Sequence, residues 1–236
     1  MNSSAKLARP GEMGDKKLRV VCGPCNNRWM STLQEQAKPF LVPLIRDDWS
    51  QTLDRNAQRS IAVWATMLTM VLEYADPPTI SIPQSDRNAL RLTCAPPDGW
   101  IVFLGRNSQT PIKFYHQVLG IPADETIPAK GLTKFNTHIT TFTTGSVLLQ
   151  TTSSQVNYFE KMGFSKKAYC EYMSLEQIWP IEAETVGTPP RVYSDQDFVV
   201  HLQFLERSGF FGGSRSALRD AIDSGMFDPT YSGYRA

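Results

Sequence analysis

The sequence has no excess of charge of one sign: 24 lysines and arginines stand against 23 aspartates and glutamates, a formal net charge of +1. That balance excludes the strongly basic and strongly acidic classes, so any contact with phosphate has to come from a local patch. There is no apolar run of the roughly 18 residues that a membrane-spanning helix needs. The opening MNSSAKLARPGEMGDKK has no apolar stretch of the kind a secretory signal carries. No membrane partner is therefore expected. Cysteine is scarce: Cys22, Cys25, Cys94 and Cys170 are too few in 236 residues for a disulfide scaffold. Reduced thiols and a cytoplasmic location are the expectation. Histidine is scarcer still, with His116, His138 and His201 all far downstream, so that neither a histidine nor a cysteine precedes Cys22.

What is present is apolar material for a real core, 41% of the residues, in a length that suits one large or two small domains. Residues 1–16 are polar and read as poorly ordered. LRVV at 18–21 reads as a short strand. From Asn26 to about Arg46 the apolar residues Trp29, Met30, Leu33, Ala37, Phe40, Leu41 and Leu44 recur at helical spacing. Pro39 and Pro43 lie inside that pattern and predict a kink or two shorter helices, because each removes a backbone donor. A second helix is predicted over about 54–75, with Asp54 as N-cap and Asp-Pro-Pro as its stop. Its middle, IAVWATMLTMVLEY, is apolar nearly all round and should be buried, its methionines filling the core. Ser85 could cap a short helix over DRNALRLT.

Beyond Pro97 the pattern turns β-like. GWIVFLG (99–105) and PIKFYHQV (111–118) read as two strands. KFNTHITTFTTG and SVLLQTT read as a hairpin about Thr144-Gly145-Ser146, with threonines on its exposed face. QIWPI could add an edge segment. Two late helices follow, DQDFVVHLQFLERS capped by Ser194 and RSALRDAIDSG capped by Ser214 and stopped by Gly225. The whole predicts an α+β protein: an N-terminal knuckle and helices, then an antiparallel sheet with C-terminal helices. The division is a knuckle segment over 1–48 and a second domain over 49–236.

The chemistry concentrates in CGPCNN at residues 22–27. The tetrapeptide CGPC suits a redox thiol, since a cysteine at a helix N-terminus has a lowered pKa. The βαβ surroundings of a thioredoxin-like site are missing, because only 21 residues precede Cys22 and helix follows it. The C-x2-C spacing of Cys22 and Cys25 also suits half of a zinc site, which needs two further ligands. Cys94, Cys170 and the three histidines are the only candidates in the chain, and a second chain could supply them instead. Plain structural thiols are the third reading. His116 and His138 sit in strand-like contexts and read as buried or cross-strand residues, and His201 as a helix-face residue. GFFGGSRSALRD reads as a capped helix entry rather than a phosphate loop, for it lacks the lysine and spacing of a P-loop. Lys16, Lys17 and Arg19, with Arg28 beyond the cysteines, form the best local patch for a nucleic-acid backbone.

The segment VVCGPCNNRWMSTLQEQAKPFLVPLI resembles the second half of an HNH-type, zinc-knuckle endonuclease motif, as in bacterial and phage HNH-like proteins. The match covers roughly residues 18–46, and IAVWATMLTMVLE is similar to the helix that follows in them. The resemblance implies that Cys22 and Cys25 are structural zinc ligands and that Asn26 stands near a catalytic divalent metal. It also implies a nucleic-acid partner. In such nucleases a histidine on the preceding strand activates water, and here that histidine and the first cysteine pair are absent. The expectation is therefore a nucleic-acid-associated protein, truncated or degenerate and without cleavage activity as this chain stands. A thiol-disulfide oxidoreductase using Cys22 and Cys25, and a non-enzymatic structural or interaction protein, are the alternatives.

Overall fold

A computed structural model describes residues 18–75, 77–121, 135–156, 166–194 and 196–197. Among them the α+β class is observed, with helices leading and an antiparallel sheet following. The helix entry is α1 (Gly23–Cys25), a widened π-type turn over Asn26–Met30, and α2 (Ser31–Ile45). LRVV forms no strand; residues 18–20 carry no regular structure and Val21 sits in a bend. Val20 and Val21 are exposed instead, since among the described residues no strand offers them a ladder.

Helix α2 runs unbroken through Pro39 and Pro43, so of the expected kink or two shorter helices the division into two does not occur. Its buried face of Leu33, Ala37, Leu41 and Leu44 supplies the reason, while Pro39 is exposed and Pro43 only half-buried. Four residues apart on the outer side, the prolines forfeit backbone bonds that packing of the inner face outweighs. After the two-residue β1 (Leu53–Asp54) comes α3 (Arg55–Leu72). Asp54 caps it as expected, its carboxylate accepting the Ala57 N–H at 2.8 Å. Eleven of its residues are buried, Met67 and Met70 among them, which makes it the central helix of the molecule. Two 3-10 turns, Glu73–Ala75 and Pro77–Thr79, lead to α4 (Gln84–Thr93). Pro83, not Ser85, is its N-cap; Ser85 already lies in the first turn and bonds Asp86 instead.

The sheet departs most from expectation. Residues 99–118 do not make two strands but one, β2 (Trp100–Leu119), and the predicted hairpin is one strand too, β3 (Thr137–Ser154). The two pair antiparallel over nearly their whole length, from Trp100↔Ser153 to Leu119↔Thr137, with register shifts between Arg106 and Lys113. Gly145 lies in mid-strand at φ +55. A Cβ there would stand 2.2 Å from the Ile45 carbonyl oxygen, so this glycine admits the end of α2 rather than making a turn. The same junction is tied by Trp49 Nε1 donating to Ser146 Oγ at 3.0 Å and by Ser146 Oγ donating to the Leu44 carbonyl.

Helix α5 (Lys166–Met173) and strands β4 (Glu176–Trp179), β5 (Thr185–Val186) and β6 (Val192–Tyr193) complete the described chain. The main sheet has the order β3-β2-β4, with β6 parallel to β2 and β4 the expected addition from QIWPI. Strand β5 pairs with β1 in a small second sheet. Val102, Leu104, Val147 and Leu149 pack with Leu41, Leu44, Ile61 and Ala65 in the principal core. Phe103 and Gln150 meet Tyr169 of α5, with rings 5.5 Å apart and Tyr169 Oη donating to Gln150 Oε1 at 2.7 Å. With both faces covered, Thr140, Thr141, Thr143, Thr151 and Thr152 are buried, not exposed. Cross-element pairs such as Thr69 Oγ1 with Thr151 Oγ1, 2.8 Å, satisfy them. The late helices fall outside the described residues, except that Ser194 Oγ accepts the Asp197 N–H at 3.2 Å in the cap expected of it.

Candidate functional site

Cys22 is the N-cap of the helix entry, extended at φ −71 and ψ 153, and its Sγ accepts the Cys25 N–H at 3.4 Å. Pro24 follows where a missing N–H costs nothing. The exposed Cys22 thiol is held below its ordinary value, first by hydrogen bonding with the Cys25 side chain and then by the Cys25 backbone N–H, with a weaker pull from Arg91. Cys25 is half-buried and packs against the cluster of Met30, Leu33, Met67, Met70 and Trp100. In the widened turn that follows, the Ser31 N–H reaches back to the Asn26 carbonyl, a geometry that recurs at functional sites. Both thiols line a groove of about 240 Å³ whose walls include Met30, Met70, Tyr74 and Arg91.

Of the residues singled out from the sequence, Cys22, Cys25, Asn26, Arg19 and Arg28 come within this one turn and its approach. Asn26, Arg19 and Arg28 are exposed, and Asn26 Nδ2 donates to Asn27 Oδ1 at 3.3 Å. Lys16, Lys17, His201 and the GFFGG turn lie outside the described residues. The other described cysteines stay apart from the pair. Cys94 is exposed at the end of α4, and Cys170 is half-buried, its thiol pushed up to about 11 by burial and then by Glu176 and Glu182. Among the described residues there is no group of three or more His, Cys, Asp or Glu able to hold a metal ion. The donors around CGPC thus amount to two of the four that tetrahedral zinc takes.

A second cluster lies between the sheet, α3 and α4. Glu73 is fully buried at the end of α3; its Oε1 accepts Ser81 Oγ at 3.1 Å and Ile82 N at 2.8 Å, and its Oε2 pairs with Arg87 of α4. Arg87 also lies over the Tyr74 ring, 4.7 Å from its centre. His116 Nε2 is 3.9 Å from Glu73 Oε1, while its Nδ1 meets Thr140 Oγ1 at 2.7 Å. His138, across the sheet on β3, stacks on His116 at 5.9 Å and lies tilted by 57° against Trp100 at 4.7 Å, with Nδ1 2.9 Å from Ser153 Oγ. Burial, then His116 and Arg87, holds its pKa well below the ordinary imidazole value, so the ring is neutral. His116 and His138 are therefore buried cross-strand residues, as read from the sequence. Glu73 and Arg87 had not been singled out; the one signal was a lone carboxylate closing an otherwise apolar helix. Ser153 and His138 have the contact of a nucleophile and base. No carboxylate orients the far nitrogen, because His138 Nε2 is buried without a partner.

No described helix is long and apolar enough to cross a membrane. Comparison with family models, with curated proteins and with solved structures finds no match to this chain.

Proposed function

We propose that this chain is a nucleic-acid-associated protein of the HNH-endonuclease-like kind, in which Cys22 and Cys25 hold one half of a structural zinc site. The carrying observation is the cysteine pair itself, presented on an exposed helix-capping turn with the Cys22 thiol poised toward its metal-binding thiolate form. Bound there, zinc would fix the turn and the entry of α2; the remaining two ligands come from outside the turn. Exposed Arg19 and Arg28 beside it support a phosphate-backbone contact, with Lys16 and Lys17 adding to the same stretch of sequence. No cleavage is proposed, since the described histidines, His116 and His138, are buried in the sheet core and, among the described residues, no water-activating histidine accompanies the turn.

The test is zinc content and DNA affinity of the reduced protein, wild type against Cys22→Ser with Cys25→Ser. The expected result is at least about half an equivalent of zinc per chain, lost in the double variant together with retarded migration of a DNA duplex. Zinc well below that level under reducing conditions refutes the half-site. Divalent-ion-dependent nicking of plasmid refutes the absence of cleavage. A second reading, thiol-disulfide exchange, draws on the lowered Cys22 thiol and the groove beside it. A Cys22 pKa at the free value of about 8.5 dismisses it.

A further inference from the structure

A cavity of about 280 Å³ opens beside the His138 cluster, where the start of α4, the Asp98 turn and the far end of β3 converge. Among the described residues its lining holds two carboxylates, Asp86 and Asp98, several serine hydroxyls, and neither lysine nor arginine. Asp86 already accepts Trp100 Nε1 at 2.7 Å and Ser85 Oγ at 3.3 Å, which fixes its orientation. Asp98 sits exposed on the turn before β2. Two further lining residues, His138 and Gln155, each have a buried polar atom with no protein partner, Nε2 and Oε1. Native folds seldom leave such atoms unpaired, and a ligand is one way to satisfy them.

The supply of acceptors decides the ligand class. Gln155 Oε1 and the carboxylates all accept hydrogen bonds. The neutral His138 ring offers one donor and one acceptor, and when Nδ1–H donates to Ser153 Oγ its Nε2 is an acceptor as well. A wall with this excess of acceptors and two negative charges suits a small cation with several N–H donors and repels anions. The volume is near the lower end for small-molecule sites. We propose that this cavity binds a small organic cation, an alkylammonium or guanidinium compound, held by Asp98, Asp86 and Gln155.

The experiment is calorimetric titration of the full chain with agmatine, with sodium phosphate and a neutral polyol as controls, while imidazole nitrogen resonances are followed by NMR. Agmatine should bind and shift the His138 signals, and the controls should not. Asp98→Asn should weaken agmatine binding about tenfold or more, the size expected for one charge-assisted hydrogen bond. Asp98 is exposed on a turn, so its variant should keep the wild-type circular dichroism; Gln155→Met gives a second, uncharged probe of the same wall. The proposal is overturned if agmatine binds no better than the polyol or if phosphate binds in preference. It is equally overturned if both variants bind agmatine as the wild type does or the His138 signals stay unmoved at saturation.

Discussion

Acidification below about pH 6.5 should destabilise this protein through His138. In the unfolded chain the ring takes its proton near pH 6.5, whereas in the fold burial, then His116 and Arg87, keeps it neutral to much lower pH. Between those limits the unfolded state carries one more proton than the native state. Stability therefore falls as pH falls, by about 1.4 kcal/mol per pH unit once well below 6.5, and is flat above. From about pH 7.5 to 5.5 the accumulated loss is about 1.4 kcal/mol for this one residue. That is a sizeable part of a typical stability of roughly 5–15 kcal/mol. The loss is localised, since a proton on His138 meets Arg87 and the His116 ring, while Glu73, the nearest carboxylate of the cluster, is already bonded to Arg87, Ser81 and Ile82. Urea denaturation at a series of pH values reads it directly. The control is His138→Gln, which can still bond Ser153 but cannot take a proton. Carboxylates that titrate elsewhere act alike in both proteins and cancel in the difference. The wild type should lose about 1.4 kcal/mol more than the variant over that interval, a midpoint difference of about 0.5–1 M urea. Parallel pH curves for the two proteins would refute the buried neutral histidine.

Arg87→Ala should lower stability by about 3 kcal/mol in the same urea assay, because it strands the fully buried Glu73 carboxylate with fewer donors. Glu73→Gln with Arg87→Met should recover part of that loss, a check that the cost lies in the uncompensated charge. Gly145→Ala should cost about 2 kcal/mol or more, since the new methyl group strikes the Ile45 carbonyl at a left-handed φ; thermal unfolding would register it as a lowered Tm. Iodoacetamide mapped by mass spectrometry should label Cys22 well before Cys170, whose thiol is raised to about 11 and half-buried.

The sequence was most informative where structure is local. The cap at Asp54, the all-round apolar face of α3 and the buried stripe of α2 follow from caps and periodicity within one turn or two, and each is observed. It misled where a residue answers to a distant neighbour. Thr144-Gly145-Ser146 has the composition of a hairpin turn, yet Gly145 is there because the Ile45 carbonyl comes against it from α2. Alternating threonines resemble a wet sheet face, yet α3 and α5 cover both sides and Thr69 and other partners absorb the hydroxyls. Ser85 matched a cap composition, but the chain enters α4 two residues earlier, with Pro83 as the cap.

The candidate sites divide in the same way. CGPCNN was recognisable as a thiol turn because cysteine spacing and the helix after it are adjacent in the chain, and the fold adds to it only the groove and the direction of the Cys22 shift. The cluster of Glu73, Arg87, His116 and His138 joins residues up to 65 positions apart, as their numbers show. No periodicity announces it, since a buried charge is tolerable only where partners from other elements meet it, and which partners meet is settled by how α3, α4, β2 and β3 pack. The sequence by itself determined helices α2, α3 and α4, the inner faces of the first two and the cysteine turn, for these depend on contacts a few residues long. Tertiary structure alone decided that the strands are long and doubly covered, that histidine is kept neutral in the core, and that an acceptor-lined cavity lies beside it.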